Sequence, residues 1–173
     1  MQTRSTELDS PIGKLRLLAR GDTLCALEFV DRRGGGALPK SAQRAAPRTA
    51  SAATPLLAAS HPVVRRLRAY FDGDIKALDD IVVEADGTEF QRRVWQVLRQ
   101  VKPGAVISYG DLARRAGSPG AARAAGAACG SNPIAVVIPC HRAVGANGSL
   151  TGYGGGMERK RWLLRHEAGE LKL

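Results

Sequence analysis

Cys140 stands at the end of an apolar run, Ile134-Ala135-Val136-Val137-Ile138-Pro139, and is followed directly by His141 and Arg142. A thiol in that setting is a candidate nucleophile, because nearby imidazole and guanidinium groups favour the thiolate, the form that attacks carbon. The run predicts a buried strand ending at the cysteine, and the cationic neighbours predict a lowered thiol pKa. Adjacent residues on a regular strand point to opposite faces, so direct contact between Cys140 and His141 requires a bend at Pro139 or a bridging water. By itself the dipeptide also fits a buried structural cysteine. A second pattern surrounds Arg123, the one long side chain in the stretch Ala121 to Ala128, whose other members are alanine and Gly126. Methyl groups and glycine let a helix axis come very close to what it faces, with the guanidinium projecting as a probe. The same composition also fits a close-packed core helix with Arg123 at its rim.

The elements that must position these residues follow from periodicity and breakers. Lys14 to Ala19 and Thr23 to Val30 flank Arg20-Gly21-Asp22 and predict a β-hairpin. Residues 32–60 are rich in Gly, Ala, Pro, Ser and Arg and predict a loop. Val63, Val64, Leu67, Tyr70 and Phe71 fall at helical spacing within His61 to Phe71, with arginines opposite. Asp72 to Thr88 is acidic and turn-rich, which places a boundary near residue 87. Thr88 is a capping residue for a helix with Phe90, Val94, Val97, Leu98 and Val101 on one stripe, ended by Pro103-Gly104. Short helices over Gly110 to Ala116 and from Gly120 to about Cys129, joined at Gly117-Ser118-Pro119, make a helix-turn-helix candidate. A last helix is expected over Glu158 to Glu167.

With 173 residues, 44% hydrophobic and 24% charged, the chain has the composition of a globular protein with one domain or two small ones. The longest apolar run is too short to cross a bilayer, no secretory signal is visible, and three cysteines without CxxC spacing argue against a disulfide framework. A reducing, cytoplasmic setting is expected. The net charge is +10, and residues 88–173, with 13 Lys+Arg against 5 Asp+Glu, carry +8 of it. That asymmetry points to a polyanionic partner for the C-terminal half, since cationic side chains displace the counterions of phosphates.

Ile138-Pro139-Cys140-His141-Arg142 resembles the active-site signature of the O6-alkylguanine-DNA alkyltransferases, the methylated-DNA–protein-cysteine methyltransferases. The likeness takes in Gly87-Thr88-Glu89-Phe90-Gln91 with Val94-Trp95, then Ser108-Tyr109-Gly110, Ala121-Ala122-Arg123, Asn132-Pro133, and Gly152-Tyr153-Gly154-Gly155-Gly156 with Lys160 and Leu163-Leu164. These occur in the family's order over residues 87–168, and Asp9-Ser10-Pro11-Ile12-Gly13 resembles its opening. The resemblance implies an α/β protein of two subdomains: residues 1–86 with an antiparallel, ribonuclease-H-like sheet, and residues 87–173, mostly helical, with a winged-helix-like helix-turn-helix.

It also implies direct-reversal repair of double-stranded DNA, in which Cys140 takes the alkyl group from O6 of guanine, and less well from O4 of thymine, once only. His141 acts as base through a water, Glu167 orients that histidine, Asn132 holds the turn, and Tyr109 donates toward the leaving base. Arg123, flanked by Ala121 and Ala122, enters the minor groove and replaces the flipped nucleotide, with Ser108 and Arg142 also at the DNA. Ala143, Tyr153, Gly154 and Gly155 belong to the base pocket. Gly154 stands where many relatives carry a hydroxyl residue, and Cys129 is a second thiol near the site. Some relatives bind zinc, but Cys25 has only His61 nearby in sequence, so neither metal nor cofactor is expected. A monomer is expected. A damage sensor that binds without transfer, or a Cys-His hydrolase, are the competing readings.

Overall fold

The computed structural model describes residues 2–30 and 58–171. The expected hairpin is present as β2 (Leu15–Arg20) and β3 (Thr23–Phe29), turning through Gly21 at φ 57°. A strand not anticipated from the sequence, β1 (Thr3–Leu8), pairs antiparallel with β2, giving a three-stranded sheet in the order β1-β2-β3. Its pattern Thr-Arg-Ser-Thr-Glu-Leu hides a strand because its side chains are mostly polar and only Leu8 is buried. The sheet packs its apolar face, including Leu15, Leu17, Leu24 and Leu27, into the core. The loop expected at 32–60 falls almost entirely outside the described residues.

Helix α1 (Pro62–Phe71) begins with proline at its first position and with His61 accepting a hydrogen bond from the Val63 amide at 3.3 Å. It buries Val63, Val64, Leu67, Tyr70 and Phe71, the stripe read from the sequence. The segment before residue 88 touches the sheet through one parallel bridge, Leu24 to Val83. Helix α2 (Glu89–Gln100) opens on a capping box: the Thr88 hydroxyl accepts from the Gln91 amide and the Gln91 side chain accepts from the Thr88 amide. Trp95 on its buried face donates its indole N–H to the Ala128 carbonyl at 2.9 Å. That bond sets the depth at which the helix carrying Ala128 sits.

Helices α3 (Tyr109–Arg115) and α4 (Ala122–Gly130) form the helix-turn-helix, with Gly117 and Gly120 at positive φ on either side of the corner. Short strands β4 (Ile107–Ser108) and β5 (Ala143–Val144) pair in parallel, β5 directly following the turn at Cys140–Arg142. Helix α5 (Met157–Glu167) closes the fold, starting one residue earlier than expected. The buried apolar residues make one continuous cluster from Leu8 to Leu163.

The strand predicted at Ile134 to Ile138 is not formed. One bridge joins Ile134 to Leu27, and the chain then curls back so that the Ile138 amide donates to the Ile134 carbonyl at 3.0 Å. Val136 takes φ 68°, a left-handed conformation that a β-branched residue adopts only when its surroundings force it. Ile134, Val136, Val137 and Ile138 are nonetheless all buried. The apolar run was correctly read as core; its burial is reached through a turn, which periodicity cannot distinguish from a short strand.

Candidate active site

Cys140 opens a 3-10 turn, Cys140–Arg142, beyond that curled segment. The chain bends into this turn at Pro139, with φ −81° and ψ 63°. Asn132 builds it: its amide nitrogen donates to the Ile138 carbonyl at 2.8 Å and to Cys140 Sγ at 3.2 Å, while its oxygen accepts from the Ile134 amide at 2.9 Å. The thiol itself is buried. Burial pushes the Cys140 thiol up, against smaller opposing effects from the Asn132 hydrogen bond and the Lys160 charge. The expected lowering by His141 and Arg142 is not what this site provides, because both side chains are turned to Glu167.

Glu167, at the end of α5, is the acceptor on which the turn converges. Its Oε1 accepts from His141 Nε2 at 2.9 Å, from Arg142 Nη2 at 2.8 Å and from the Tyr70 hydroxyl at 2.8 Å; its Oε2 accepts from Arg142 Nε at 2.8 Å. Burial alone would raise the Glu167 carboxyl, but the bonds and charges of His141 and Arg142 hold it well below the usual carboxylate range. An ionised carboxylate only accepts, so the His141 proton resides on Nε2 and Nδ1 carries a free lone pair. Nδ1 is buried without a hydrogen-bond partner among the described residues. Burial also keeps His141 neutral by lowering its pKa.

Arg142 was expected at the DNA, and the structure corrects this. Its guanidinium is buried, forked on Glu167, with Nη1 donating to the Val101 carbonyl at the end of α2. Three of its five N–H donors are spent inside the fold, and the buried side chain does not reach the surface. Lys160, part of the resemblance but given no role by it, ties the site together. Fully buried, its ammonium donates to the carbonyls of Ala143 at 2.6 Å, Thr151 at 2.9 Å and Gly152 at 3.2 Å, tying the residues after the turn to the glycine-rich loop. The signal was there: Lys160, Leu163 and Glu167 share one buried stripe of α5, and a lysine on such a stripe has to meet buried acceptors.

A cleft of about 600 Å³ opens over the thiol, and its walls come from α3, α4 and the glycine-rich loop: Tyr109, Arg123, Cys129, Cys140, Tyr153 and Gly154 all border it. Ala122 borders it too, whereas Ala121 only precedes the first turn of α4. Tyr109 donates its hydroxyl to the Thr151 carbonyl at 3.1 Å. Arg123 is exposed at the rim, and the alanines of α4 divide between two surfaces: Ala125 and Ala128 are buried, Ala124 and Ala127 face solvent. One face of this helix is thus close-packed core, and the other, with Arg123, is open to solvent. Ser108 does not border the cleft; its hydroxyl caps α3 by accepting from the Asp111 amide at 3.0 Å. Nor does Ala143, whose carbonyl is taken by Lys160. Gly155 lies behind the wall, where a Cβ would stand 2.5 Å from the Phe29 ring and 2.7 Å from that of Tyr153.

The fold and site thus define a class: an α/β protein in which a helix-turn-helix edges a cleft floored by one hydrogen-bonded cysteine. The profile of the 6-O-methylguanine DNA methyltransferase DNA-binding domain matches residues 89–169. A methylated-DNA–protein-cysteine methyltransferase of Mycolicibacterium paratuberculosis is 45% identical over 170 residues, covering 96% of this chain and 95% of the relative. One from Shigella flexneri is 56% identical over 102 residues, a match that spans only 60% of that relative. Among solved structures, the O6-methylguanine methyltransferase of Mycobacterium tuberculosis superposes with TM-score 0.77 at 37% identity, covering 99% of this chain and 96% of that one. A structure of the M. tuberculosis protein in complex with DNA gives 0.78 at 40% identity, covering 98% and 94%. The chain belongs to the methylated-DNA–protein-cysteine methyltransferase family.

Proposed function

We propose that this protein repairs alkylated double-stranded DNA by moving the alkyl group from O6 of guanine, and less well from O4 of thymine, onto Cys140 Sγ, once per molecule. The observation that carries the reading is the hydrogen-bonded thiol of Cys140 at the floor of a cleft rimmed by Arg123 and Tyr109. The thiol rests protonated and His141 rests neutral, so the proton has to move as the reaction proceeds. It passes through a water to the free lone pair of His141 Nδ1, while Glu167 stabilises the imidazolium through Nε2–H. The sulfur then attacks the alkyl carbon, the S–C bond forms as the C–O6 bond breaks, and the electron pair leaves on the base. The Tyr109 hydroxyl turns from the Thr151 carbonyl and gives its proton to a ring nitrogen, so the base departs as neutral guanine, and the imidazolium returns its proton through solvent to the phenolate left behind. Thiol plus alkylguanine becomes thioether plus guanine, and the thioether has no leaving path.

The target atom is inaccessible in a stacked duplex, and extruding its nucleotide costs a few kcal/mol. Arg123 fills the space left in the stack. The exposed Ala124 and Ala127 let α4 enter a minor groove about 6 Å wide. Residues 87–173 act as the DNA-binding and catalytic part. The α3–α4 corner with the β4–β5 pair supports its winged-helix-like description, and the sheet backed by α1 supports a ribonuclease-H-like description of residues 1–86. The protein acts as a monomer in the cytoplasm and needs no cofactor. Among the described residues no helix is long and apolar enough to cross a membrane.

Mass spectrometry after incubation with a duplex holding O6-methylguanine tests this. One methyl on the Cys140 peptide, stopping at one equivalent and absent in Cys140→Ser, is the expected result. Tight binding without any mass gain would instead favour a damage sensor, and catalytic turnover would sink both.

A further inference from the structure

Tyr70 is the one residue of α1 that reaches the catalytic turn's acceptor, and its setting is built rather than incidental. The side chain is fully buried. Its hydroxyl donates to Glu167 Oε1 at 2.8 Å, the same oxygen that takes the His141 Nε2–H. Its carbonyl receives a hydrogen bond from His166 Nε2 at 2.7 Å, and its ring meets the His166 ring edge-on at 5.0 Å. Tyr70 therefore grips two consecutive residues of α5, one by backbone and one by side chain. Phe71 against Trp162 at 6.0 Å and Trp162 stacked on His166 at 4.7 Å complete an aromatic joint between the two helices.

The joint would hold the helices together equally well with phenylalanine at position 70; what the hydroxyl adds is a fixed donor on the carboxylate. Arg142 forks on both oxygens of that carboxylate and sets its plane from the catalytic turn itself. A third donor on Oε1, arriving from another element, ties the same carboxylate to α1 as well. It also draws charge from the oxygen, limiting how strongly Glu167 holds the proton of His141. Burial keeps the phenol a neutral donor throughout the pH range of a folded protein.

We propose that Tyr70 is a positioning residue for alkyl transfer: its hydroxyl, contributed by the N-terminal part of the chain, orients Glu167 and through it the base His141. This rests on the transfer chemistry proposed above. It gives the N-terminal part a role in the chemical step besides covering the core.

The test compares single-turnover transfer from an O6-methylguanine duplex in the full chain and in Tyr70→Phe, Glu167→Gln and the double variant. Tyr70→Phe is expected to slow transfer about three- to tenfold, part of the worth of one hydrogen bond to a carboxylate, with the Kd for the duplex unchanged. In the Glu167→Gln background the same change is expected to have little further effect, because residues acting through one another are not additive. p-Aminophenylalanine at position 70, which restores an N–H donor on the same ring, is expected to recover part of the rate. Phe71→Leu, which loosens the joint without touching Glu167, is expected to lower Tm and leave the transfer rate as it was. An undiminished rate in Tyr70→Phe, or the same loss with and without Glu167, would overturn the proposal. So would equal loss in the phenylalanine and p-aminophenylalanine proteins, the comparison that decides if Tyr70→Phe folds poorly. Failure of the unsubstituted chain to transfer at all would instead refute the underlying function.

Discussion

Lys160 Nζ lies 2.6 Å from the carbonyl of Ala143, three residues past the cysteine in the chain, and holds two carbonyls of the glycine-rich loop with its remaining protons. One buried ammonium therefore fastens the floor of the cleft to its wall. Lys160→Met keeps the length of the side chain but leaves three carbonyls without their donor. A loss on the order of 3 kcal/mol in stability is expected, read as a lower Tm, together with loss of transfer to Cys140.

Under the proposed function, substitution of Arg123 separates access from chemistry. The side chain is exposed at the rim of the cleft. Arg123→Ala should therefore melt within about 0.5 kcal/mol of the parent protein. It should transfer poorly from duplex DNA but normally from the free O6-methylguanine base, which needs no extrusion. Equal loss on both substrates would mean that Arg123 serves the reaction and not the flipping.

Acid should weaken the fold in two stages. His141 is held neutral when folded and would bind a proton near pH 6.5 when unfolded, so its contribution is present above that value and falls away below it. Glu167 is held ionised, so its contribution is present above the usual carboxylate value of about 4.3 and is lost as pH drops further. Melts from pH 8 to pH 3 are expected to show Tm declining below pH 6.5 and again below about 4.5. In Glu167→Gln the second decline should be much reduced.

Two neighbouring glycines should behave differently. A Cβ on Gly155 would collide with the rings of Phe29 and Tyr153, while at Gly154 nothing lies within 4 Å. Gly155→Ala is expected to destabilise by about 1–3 kcal/mol and to slow transfer by shifting Tyr153; Gly154→Ala should change Tm little. Paired thermal melts decide this.

The elements carrying strong local signals could be read from the sequence: the hairpin about Gly21, the capped helix at Thr88, the α1 stripe and the α3–α4 corner. Cys140, Asn132, Tyr109 and Arg123 were legible through motif resemblance, and the structure brings them to one place. What escaped was pairwise and distant. Strand β1 is polar and exists because β2 offers it an edge. Arg142 has the type of a phosphate ligand, and only its proximity to a carboxylate 25 residues away turns it inward. Tyr70 and Glu167 are 97 apart in the chain, beyond the reach of any local pattern. The strand misread at Ile134 to Ile138 shows the remaining limit: hydrophobicity reports that a segment is inside, and the hydrogen bonds of Asn132 decide what shape it takes there.

The left-handed Val136 has a further consequence. A backbone state that unfavourable is kept only while burial of the valine side chain and the clamp of Asn132 outweigh it. Excised as a short peptide, the stretch around Cys140 would relax within microseconds into ordinary extended forms and carry a thiol no different from that of free cysteine. Reactivity at this sulfur belongs to the assembled tertiary structure, and copying its sequence alone does not transplant it.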